Sequence, residues 1–318
     1  MIRRHALAAL LAMLAPLAAF ADFPDRPVTF IVPFAAGSAT DQLARSLGQA
    51  FTAETKQAVI VDNKPGANAF IGAQAAARAP KDGYTVFITT NTTHAANEHL
   101  FKKLPYDPVK DFEPVTLLSK GAQILVVNNS LPVGSVQDLV KLAKSKPGKL
   151  SFGWGSSSSR IAVELFKQMT GTYIVSIPYR SNPPAVTDLI GGQIDMMITD
   201  MATGLPQVKA GKLKALGVST LKRTSLAPDL PTISEAGVKG YEMSFWFAAY
   251  VPAGTPPAVV TKLNELLVKA NHSAAVQGFY AQNGFETLTS TPDELRKFQS
   301  AESRKWSKII TSAGIEKE

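Results

Sequence analysis

The sequence predicts an α/β fold of two lobes, in which mixed, mainly parallel sheets carry helices on both faces and two strands cross between the lobes. From Asp22 onward, short apolar runs alternate with amphipathic stretches, a pattern typical of βαβ units. The chain has 318 residues, 45% of them hydrophobic, which is enough for more than one domain. No long linker interrupts the alternation, so we expect the chain to cross between the lobes more than once.

The first 21 residues have the pattern of an export signal. Arg3, Arg4 and His5 form a short basic segment, and an apolar run follows as far as Phe20. This run is short and rich in alanine for a membrane anchor, and Ala19-Phe20-Ala21 resembles a signal-peptidase site. We therefore predict a signal peptide at 1–21, cleaved after Ala21. The chain has no cysteine, so we expect neither disulfides nor a lipid anchor at the cleavage site.

The predicted strands are short runs rich in apolar residues. They are Val28–Phe34, Ala58–Val61, Tyr84–Thr89, Phe112–Leu118, Ile124–Asn128, Leu150–Gly153, Val175–Tyr179, Ile194–Thr199, Leu213–Val218 and Met243–Tyr250. The predicted helices are stretches with one apolar face or an alanine-rich composition. The first helix follows a cap at Ser38 or Thr40. The other helices are predicted at Asn68–Ala79, Val136–Lys144, Ile161–Met169, Ala185–Ile190, Val259–Ala270, Ala274–Asn283 and Pro292–Ala313.

Two long apolar strands, near Gln123–Asn128 and Met243–Tyr250, are the predicted crossings between the lobes. They give lobe 1 as residues 22–122 and 245–318, and lobe 2 as residues 123–244. The second lobe would then be an insertion, and the C-terminal helices would return to the first.

Charge and composition exclude several classes of function. The net charge is +8, and removal of the two arginines of the leader leaves +6. The basic residues are scattered rather than gathered in a patch, which argues against nucleic acid as a partner. His94, His99 and His272 fit no zinc motif, and there is no phosphate-binding or dinucleotide-binding fingerprint. We therefore predict no metal and no cofactor.

Three loops run from a predicted strand to the start of a helix and are rich in small or hydroxyl residues. They are Pro33–Asp41, Gly153–Arg160 and Tyr179–Pro184. Helix N-termini carry unpaired N–H groups and partial positive charge, and in α/β sheets such loops lie where ligands bind, so these loops suit an anion. Ordinary helix caps and turns are the alternative explanation, because the same residue types favour both.

Catalytic interpretations have less support. Ser156 to Ser159 lack an evident base, and Asp200 follows a strand without a visible acid–base partner, which favours a structural or ligand-contact role. His94 follows a strand end and is a candidate to line a site. The aromatic run Phe245-Trp246-Phe247 is either core packing or a wall on which an apolar part of a ligand stacks.

Several motifs together resemble one receptor family. PFAAGSATDQLAR, KDGYT, LPYDPVKDF, FGWGSSSSR, IPYRSNPPAVTDLIGGQID and LPTISEAG occur in order over nearly the whole exported chain. The sequence resembles the substrate-binding proteins of tripartite tricarboxylate transporters, the Bug-type receptors. The resemblance implies a two-lobed periplasmic binding protein fold (type II-like), a periplasmic location and a small organic acid held in a cleft by amides, hydroxyls and waters.

The resemblance also implies which residues bind the ligand. Matched to the family's loops, with Trp246 added from the aromatic run, they are Phe34, Ala36, Gly37, Ser38, Asp41, Asn91, Thr92, His94, Trp154, Ser156, Ser157, Ser158, Arg160, Tyr179, Arg180, Asp200 and Trp246. Ala35 and Ala36 stand where the family has prolines, so the shape of the pocket can differ. Trp154 stands where a small residue is common, which favours an aromatic or bulky acid. Arg160 or Arg180 would pair with a second carboxylate, unless their side chains face solvent.

The expected function is capture of a di- or tricarboxylate or an aromatic acid and its delivery to a two-component membrane permease, by a protein acting as a monomer. A periplasmic sensor that presents the ligand to a membrane kinase is an alternative with the same fold. A secreted hydrolase using Ser157 or Ser158 is a second alternative, for which the sequence offers no convincing base.

Overall fold

The computed structural model describes residues 23–318, so the predicted signal peptide lies outside the described residues. The strands are β1 (Val28–Val32), β2 (Val59–Asn63), β3 (Thr85–Thr90), β4 (Phe112–Asn128), β5 (Ser151–Trp154), β6 (Val175–Pro178), β7 (Met196–Asp200), β8 (Leu213–Val218), β9 (Ser244–Pro252) and β10 (Phe285–Thr287). The helices are α1 (Ala39–Thr55), α2 (Phe70–Ala77), α3 (Asn97–Leu100), α4 (Val136–Ser145), α5 (Ser157–Thr170), α6 (Asn182–Ile190), α7 (Met201–Lys209), α8 (Pro257–Asn271), α9 (Ala274–Asn283) and α10 (Pro292–Ser312).

The strands are hydrogen-bonded in the order β2-β1-β3-β9-β4-β7-β5-β6, and β8 and β10 also pair with β4. The outer pairs β1–β2, β1–β3, β5–β6 and β5–β7 are parallel. The centre is antiparallel, because β9 pairs with β3 and β4, and β4 pairs with β7. The predicted α/β class with crossing strands is confirmed.

Strand β4 is one element of 17 residues where the sequence predicts two. The predicted break between Leu118 and Ile124 is wrong. Ser119 is buried within the strand, and Lys120 lies beside Glu286 of β10. Gly121 has no room for a side chain, because a Cβ there would lie 2.6 Å from Cδ1 of Phe285. The apparent break is therefore where β10 pairs with β4.

Strand β4 changes its hydrogen-bonding partner in its second half. Up to Ala122, which pairs with Ser244, it runs beside β9, and from Gln123, which pairs with Asp200, it runs beside β7. The change falls at the predicted boundary between residues 122 and 123. The exact extents of the lobes stay a prediction, which this change of partner supports.

The helix predicted over Asn68–Ala79 begins later, at Phe70. Ala67, Asn68 and Ala69 have φ of 45°, 50° and 72° and form a left-handed turn, a conformation that side chains rarely adopt. The turn places Asn68 Nδ2 at 2.7 Å from the Ser157 hydroxyl at the start of α5. A residue in the β1–β3 half of the molecule thus contacts the β5–β7 half.

His94 lies in a buried aromatic cluster next to β9. Its ring stacks on Tyr250, with 3.8 Å between ring centroids, and its edge faces Phe112. Its Nδ1 lies 2.8 Å from the Thr93 hydroxyl, and burial lowers the pKa of His94 from 6.5 to about 3. His94 is therefore a neutral core residue in the folded protein.

The lowered pKa of His94 predicts a loss of stability in mild acid. Below pH 6.5 the unfolded chain binds a proton that the folded chain does not, so the free energy of unfolding falls toward pH 3 by up to about 1.4 kcal/mol per pH unit. Denaturant unfolding between pH 7 and 4 measures this slope. His94→Phe makes the profile shallower, and His272→Asn, at an exposed histidine, leaves it unchanged. Parallel profiles for wild type and His94→Phe would contradict the assignment.

Candidate functional site

A narrow cavity lies where the two halves of the molecule meet. The space between its lining atoms is about 360 Å³, which includes the part open to solvent. Its walls come from the start of α1, the end of β3, the middle of β4, the starts of α5 to α7, and β9. The lining residues are Phe34, Ser38, Ala39, Thr40, Thr90, Gln123, Ser156, Ser158, Ser181, Asn182, Asp200, Phe245 and Phe247.

Helix α1 presents unpaired backbone donors to this cavity. Its N-cap, Ser38, accepts from Asp41 N through its hydroxyl and from Gln42 N through its carbonyl. These two bonds leave the first N–H groups of the helix, those of Ala39 and Thr40, without intrahelical acceptors. Both residues line the cavity, so this wall offers neutral donors with the positive end of a helix dipole behind them.

Helix α5 begins in the same way on the opposite wall. The Ser156 hydroxyl accepts from Ser159 N, and the Ser159 hydroxyl accepts in return from Ser156 N, which is a capping box. Arg160 N bonds to the Ser156 carbonyl, so the N–H groups of Ser157 and Ser158 remain. The predicted helix began at Ile161. The serines instead form its first turn, because their hydroxyls cap one another.

The N-terminal ends of α5 and α6 are in direct contact. A Cβ on Gly155 would lie 1.9 Å from the Ser181 carbonyl carbon and 2.3 Å from Asn182 N. Gly155 N donates to Asn182 Oδ1, and the Ser159 hydroxyl donates to the same oxygen. The lack of a side chain at Gly155 therefore allows two helix N-termini to reach one cavity.

Among residues 23–318, Asp200 is the one charged side chain in the lining. Its Oδ1 accepts from Thr203 N and caps α7, and its Oδ2 accepts from Asn182 Nδ2 at 2.9 Å. The described part of the chain contributes no lysine, arginine or histidine to the cavity wall. An anion bound here would therefore be held by dipoles and hydrogen bonds rather than by a cationic side chain.

An apolar surface lies between the polar walls. Phe245 and Phe247 of β9 line the cavity together with Phe34. Successive side chains of a strand face opposite sides, so Trp246 faces away. Its Nε1 donates to Glu302 at 3.1 Å, and its ring packs edge-on against Phe298 of α10. The aromatic run was identified from the sequence, with Trp246 as the predicted ligand contact. In the structure its two neighbours, Phe245 and Phe247, line the cavity instead.

Of the residues named from the sequence, Phe34, Ser38, Ser156, Ser158 and Asp200 line the cavity. Others support its loops without lining it. Asp41 accepts from Gly37 N at 2.9 Å and pairs with Arg45. Ala36 and Gly37 are exposed on the outside of the same loop, and Thr92 is buried behind Thr90.

Three further predicted contacts hold structure near the cavity instead. Asn91 Oδ1 faces the backbone N–H of Trp246, at 3.4 Å. The Ser157 hydroxyl donates to Asn97 Oδ1 at 2.7 Å. The Tyr179 hydroxyl donates to Asp188 at 2.8 Å. Asn91 Oδ1 and the two hydroxyls thus have partners, whereas Asn91 Nδ2 has none within residues 23–318. None of the three residues lines the cavity.

The residues that suggested a bulky or doubly charged ligand from the sequence also lie outside the cavity lining. Trp154 Nε1 donates to the Ser176 hydroxyl at 2.7 Å, and the Arg160 guanidinium lies over its ring. Arg160 pairs with Glu318, and Arg180 is exposed to solvent. His94 is enclosed by aromatic rings, as described above. Trp154, Arg160, Arg180 and His94 therefore do not line the cavity, and their contact with a ligand stays a prediction.

Eight lining residues were not named as ligand contacts from the sequence, although six of them lie in the predicted loops or in the aromatic run. The eight are Ala39, Thr40, Thr90, Gln123, Ser181, Asn182, Phe245 and Phe247. One signal for Gln123 was available, since it is a polar residue inside the apolar crossing strand. Asn182 stands between a predicted cap and two prolines, and no local pattern distinguishes its amide from an ordinary turn.

Comparison with known proteins identifies the family. The model of the "Tripartite tricarboxylate transporter family receptor" matches residues 43–315. The chain belongs to this family. It is a periplasmic solute-binding protein, as the sequence resemblance implied, and the resemblance to this family is confirmed.

Solved structures support the same conclusion. Rhodopseudomonas palustris Rpa4515 with adipate is 36% identical with a TM-score of 0.90, over 93% of this chain and 100% of that one. The periplasmic binding protein BugD is 32% identical with a TM-score of 0.89, over 93% and 100% of the two chains. MatC from Rhodopseudomonas palustris with bound malate is 29% identical with a TM-score of 0.86, over 91% and 100%. The predicted two-lobed fold is therefore confirmed.

Residues 23–318 contain neither a membrane-spanning helix nor a metal-binding cluster. No described helix is both long and apolar enough to span a membrane. In the same residues, no three histidine or acidic side chains gather as a metal site would require.

The contact at Gly155 predicts a sharp sensitivity to one methyl group. Gly155→Ala forces α5 and α6 apart, because the new Cβ meets backbone atoms that cannot rotate away. We expect a loss of about 1–3 kcal/mol in the free energy of unfolding and a larger loss of ligand affinity. Gly278→Ala, in α9 with nothing within 4 Å, is the control and is expected to be neutral or stabilising. Equal melting temperatures for both variants would contradict this packing.

Proposed function

We propose that the protein binds a small organic carboxylate in this cavity and delivers it to the two-component membrane permease of a tripartite tricarboxylate-type transporter. The lobes that close on the ligand are residues 22–122 with 245–318, and residues 123–244. The relatives solved with adipate and malate support an acid as the ligand. The family to which the chain belongs supports the permease as the partner.

The observation that carries the proposal is the convergence of unpaired helix N–H groups on one cavity. Ala39 and Thr40 of α1 face the cavity from one side, and Ser158 of α5 faces it from the other. A carboxylate accepts such bonds at both oxygens, and hydrogen bonds to a charged group are each worth about 1.5–3 kcal/mol. A few of them, less the cost of ordering the ligand, account for micromolar binding at about −8 kcal/mol.

Closure follows from the same geometry. Donors on both walls reach one small ligand only when the walls approach, so the ligand favours the closed arrangement over an open one. The Asn68–Ser157 contact adds a direct bond between the two walls. Removal of water from the narrow space strengthens each of these bonds.

The two alternatives differ in support. The serines of α5 bond to one another and to Asn97, an arrangement that caps a helix and gives no serine a base, so a hydrolase is the weaker proposal. A sensor that presents the same ligand to a membrane kinase has the same cavity. A permease or kinase gene beside this one separates these two roles.

A panel of acids tests the proposal. The exported chain is melted with succinate, malate, adipate and benzoate, and with neutral adipamide as a control, at fixed pH and ionic strength. A ligand at a hundredfold excess over its Kd stabilises the folded protein by about 2.7 kcal/mol and raises the melting temperature. A response to an acid with none to adipamide is expected. No response to any acid would contradict carboxylate capture.

The role of the α1 N-terminus has a specific test. Ala39→Pro removes one N–H at the first helical position, where proline fits, and Ser38 has the extended conformation that a following proline requires (φ −68°, ψ 158°). Affinity for the acid is expected to fall about 10- to 150-fold by calorimetry, the loss of one charge-assisted bond. The fold is expected to persist.

Ala274→Pro is the matched control. Ala274 is the exposed first residue of α9, its N-cap Ser273 has φ −65° and ψ 151°, and the same two capping bonds surround it. Ala274 lies outside the cavity lining, so the Ala274→Pro variant is expected to bind the acid with wild-type affinity. Equal affinities for the two variants would mean that the acid does not bind at α1.

A further inference from the structure

Two buried polar side chains in the cavity wall have atoms without hydrogen-bond partners. Gln123 is 1% exposed and Ser181 is 0% exposed, and both line the cavity. Within residues 23–318, neither Gln123 Oε1 nor Ser181 Oγ has a hydrogen-bond partner. Buried polar groups are nearly always paired in folded proteins, so unpaired ones in a cavity wall are groups that a ligand can satisfy.

The sequence after Ser181 explains why its hydroxyl is unpaired. Ser181 is the N-cap of α6, and a capping hydroxyl accepts from the N–H of the second or third helical residue. Those residues are Pro183 and Pro184, which have no N–H. The other caps around the cavity, Ser38, Ser156 and Asp200, all accept such a bond. The Ser-Asn-Pro-Pro segment therefore leaves one hydroxyl for the cavity, and Pro183 removes from α6 one of the two free backbone donors that the starts of α1 and α5 each offer.

The charge beside Gln123 also disfavours an anion at this wall. Gln123 and Asp200 are directly paired residues of β4 and β7, so their side chains are neighbours on the same face of the sheet. A carboxylate of the ligand here would lie beside the Asp200 carboxylate, which repels it, whereas the Gln123 amide and the Ser181 hydroxyl each offer both a donor and an acceptor. An alcohol or a carboxamide carries a donor as well as an acceptor and matches the wall.

We infer that Gln123 and Ser181 form a specificity-determining subsite for an uncharged, hydrogen-bonding end of the ligand. The carboxylate lies at the α1 N-terminus, the carbon chain lies along Phe245 and Phe247, and an alcohol or carboxamide lies against Gln123, Ser181 and Asp200. The ligand class is thus a hydroxy- or carbamoyl-carboxylate in preference to an unsubstituted dicarboxylate. This inference rests on the proposed function and narrows its substrate class.

Two series of ligands matched in length test the subsite. The four-carbon series is butanoate, 4-hydroxybutanoate, succinamate and succinate, and the six-carbon series is hexanoate, 6-hydroxyhexanoate, adipamate and adipate. Calorimetry with the exported chain at pH 7.5 and fixed ionic strength gives each Kd. In at least one series, we expect the hydroxy- or carbamoyl-acid to bind at least tenfold more tightly than both the alkanoate and the dicarboxylate.

Variants then assign the preference to the two residues. Gln123→Leu and Ser181→Ala are each expected to reduce this preference at least fivefold. Gln123→Leu replaces a buried amide with an apolar group of similar size, so its melting temperature is expected to be equal or higher. Ser119→Ala removes a buried hydroxyl from β4 outside the cavity lining and is expected to keep the wild-type preference.

The outcomes separate the two proposals. Tighter binding of the dicarboxylate in both series, or a preference that survives in both variants, overturns the subsite and leaves carboxylate capture intact. Absence of binding by every acid overturns both.

Discussion

The antiparallel pairing of β4 with β9 is the constraint on which the rest of the structure depends. These strands lie side by side at the centre of the sheet order, and each helix start that reaches the cavity is positioned relative to them. At Gln123, β4 changes partner from β9 to β7, which brings residues of both halves to one place. The alternation of side chains along β9 places Phe245 and Phe247 in the cavity wall, and the change of partner along β4 places Gln123 there.

The site built on this pairing is proposed to bind an anion without a cation in its wall. Unpaired N–H groups at the starts of α1 and α5 would supply the attraction, and among residues 23–318 the only charged lining residue, Asp200, is negative and occupied as a cap. Dipoles of this kind are weak in open water and strong in a narrow, dry space. Such a site therefore couples recognition to closure, because its donors act fully only once the walls exclude water.

Local sequence patterns predicted the fold class and most elements, because apolar periodicity and helix caps are short-range signals. The receptor family was predicted from the resemblance of several motifs that occur in order along the chain. Local patterns did not predict that Ser119-Lys120-Gly121 continues a strand, since that depends on β10, which pairs with β4 from more than 150 residues away. The loops of the site were found through their caps. The partners of Trp154, Arg160 and His94, which are Ser176, Glu318 and Tyr250, are set by tertiary packing and left no local signal in the sequence. Gln123 and Asn182 needed the folded chain for the same reason.

Closure of the lobes on the bound acid is the central claim, and the distance between two spin labels tests it most directly. The chain has no native cysteine, so Gln49→Cys and Lys141→Cys place one label on each side, at exposed positions of α1 and α4. Calorimetry first identifies an acid that binds. We predict that the label-to-label distance distribution of the free protein is longer or broader, and that saturation with this acid converts it to a single, shorter one. Identical distributions with and without saturating acid would contradict closure around the ligand.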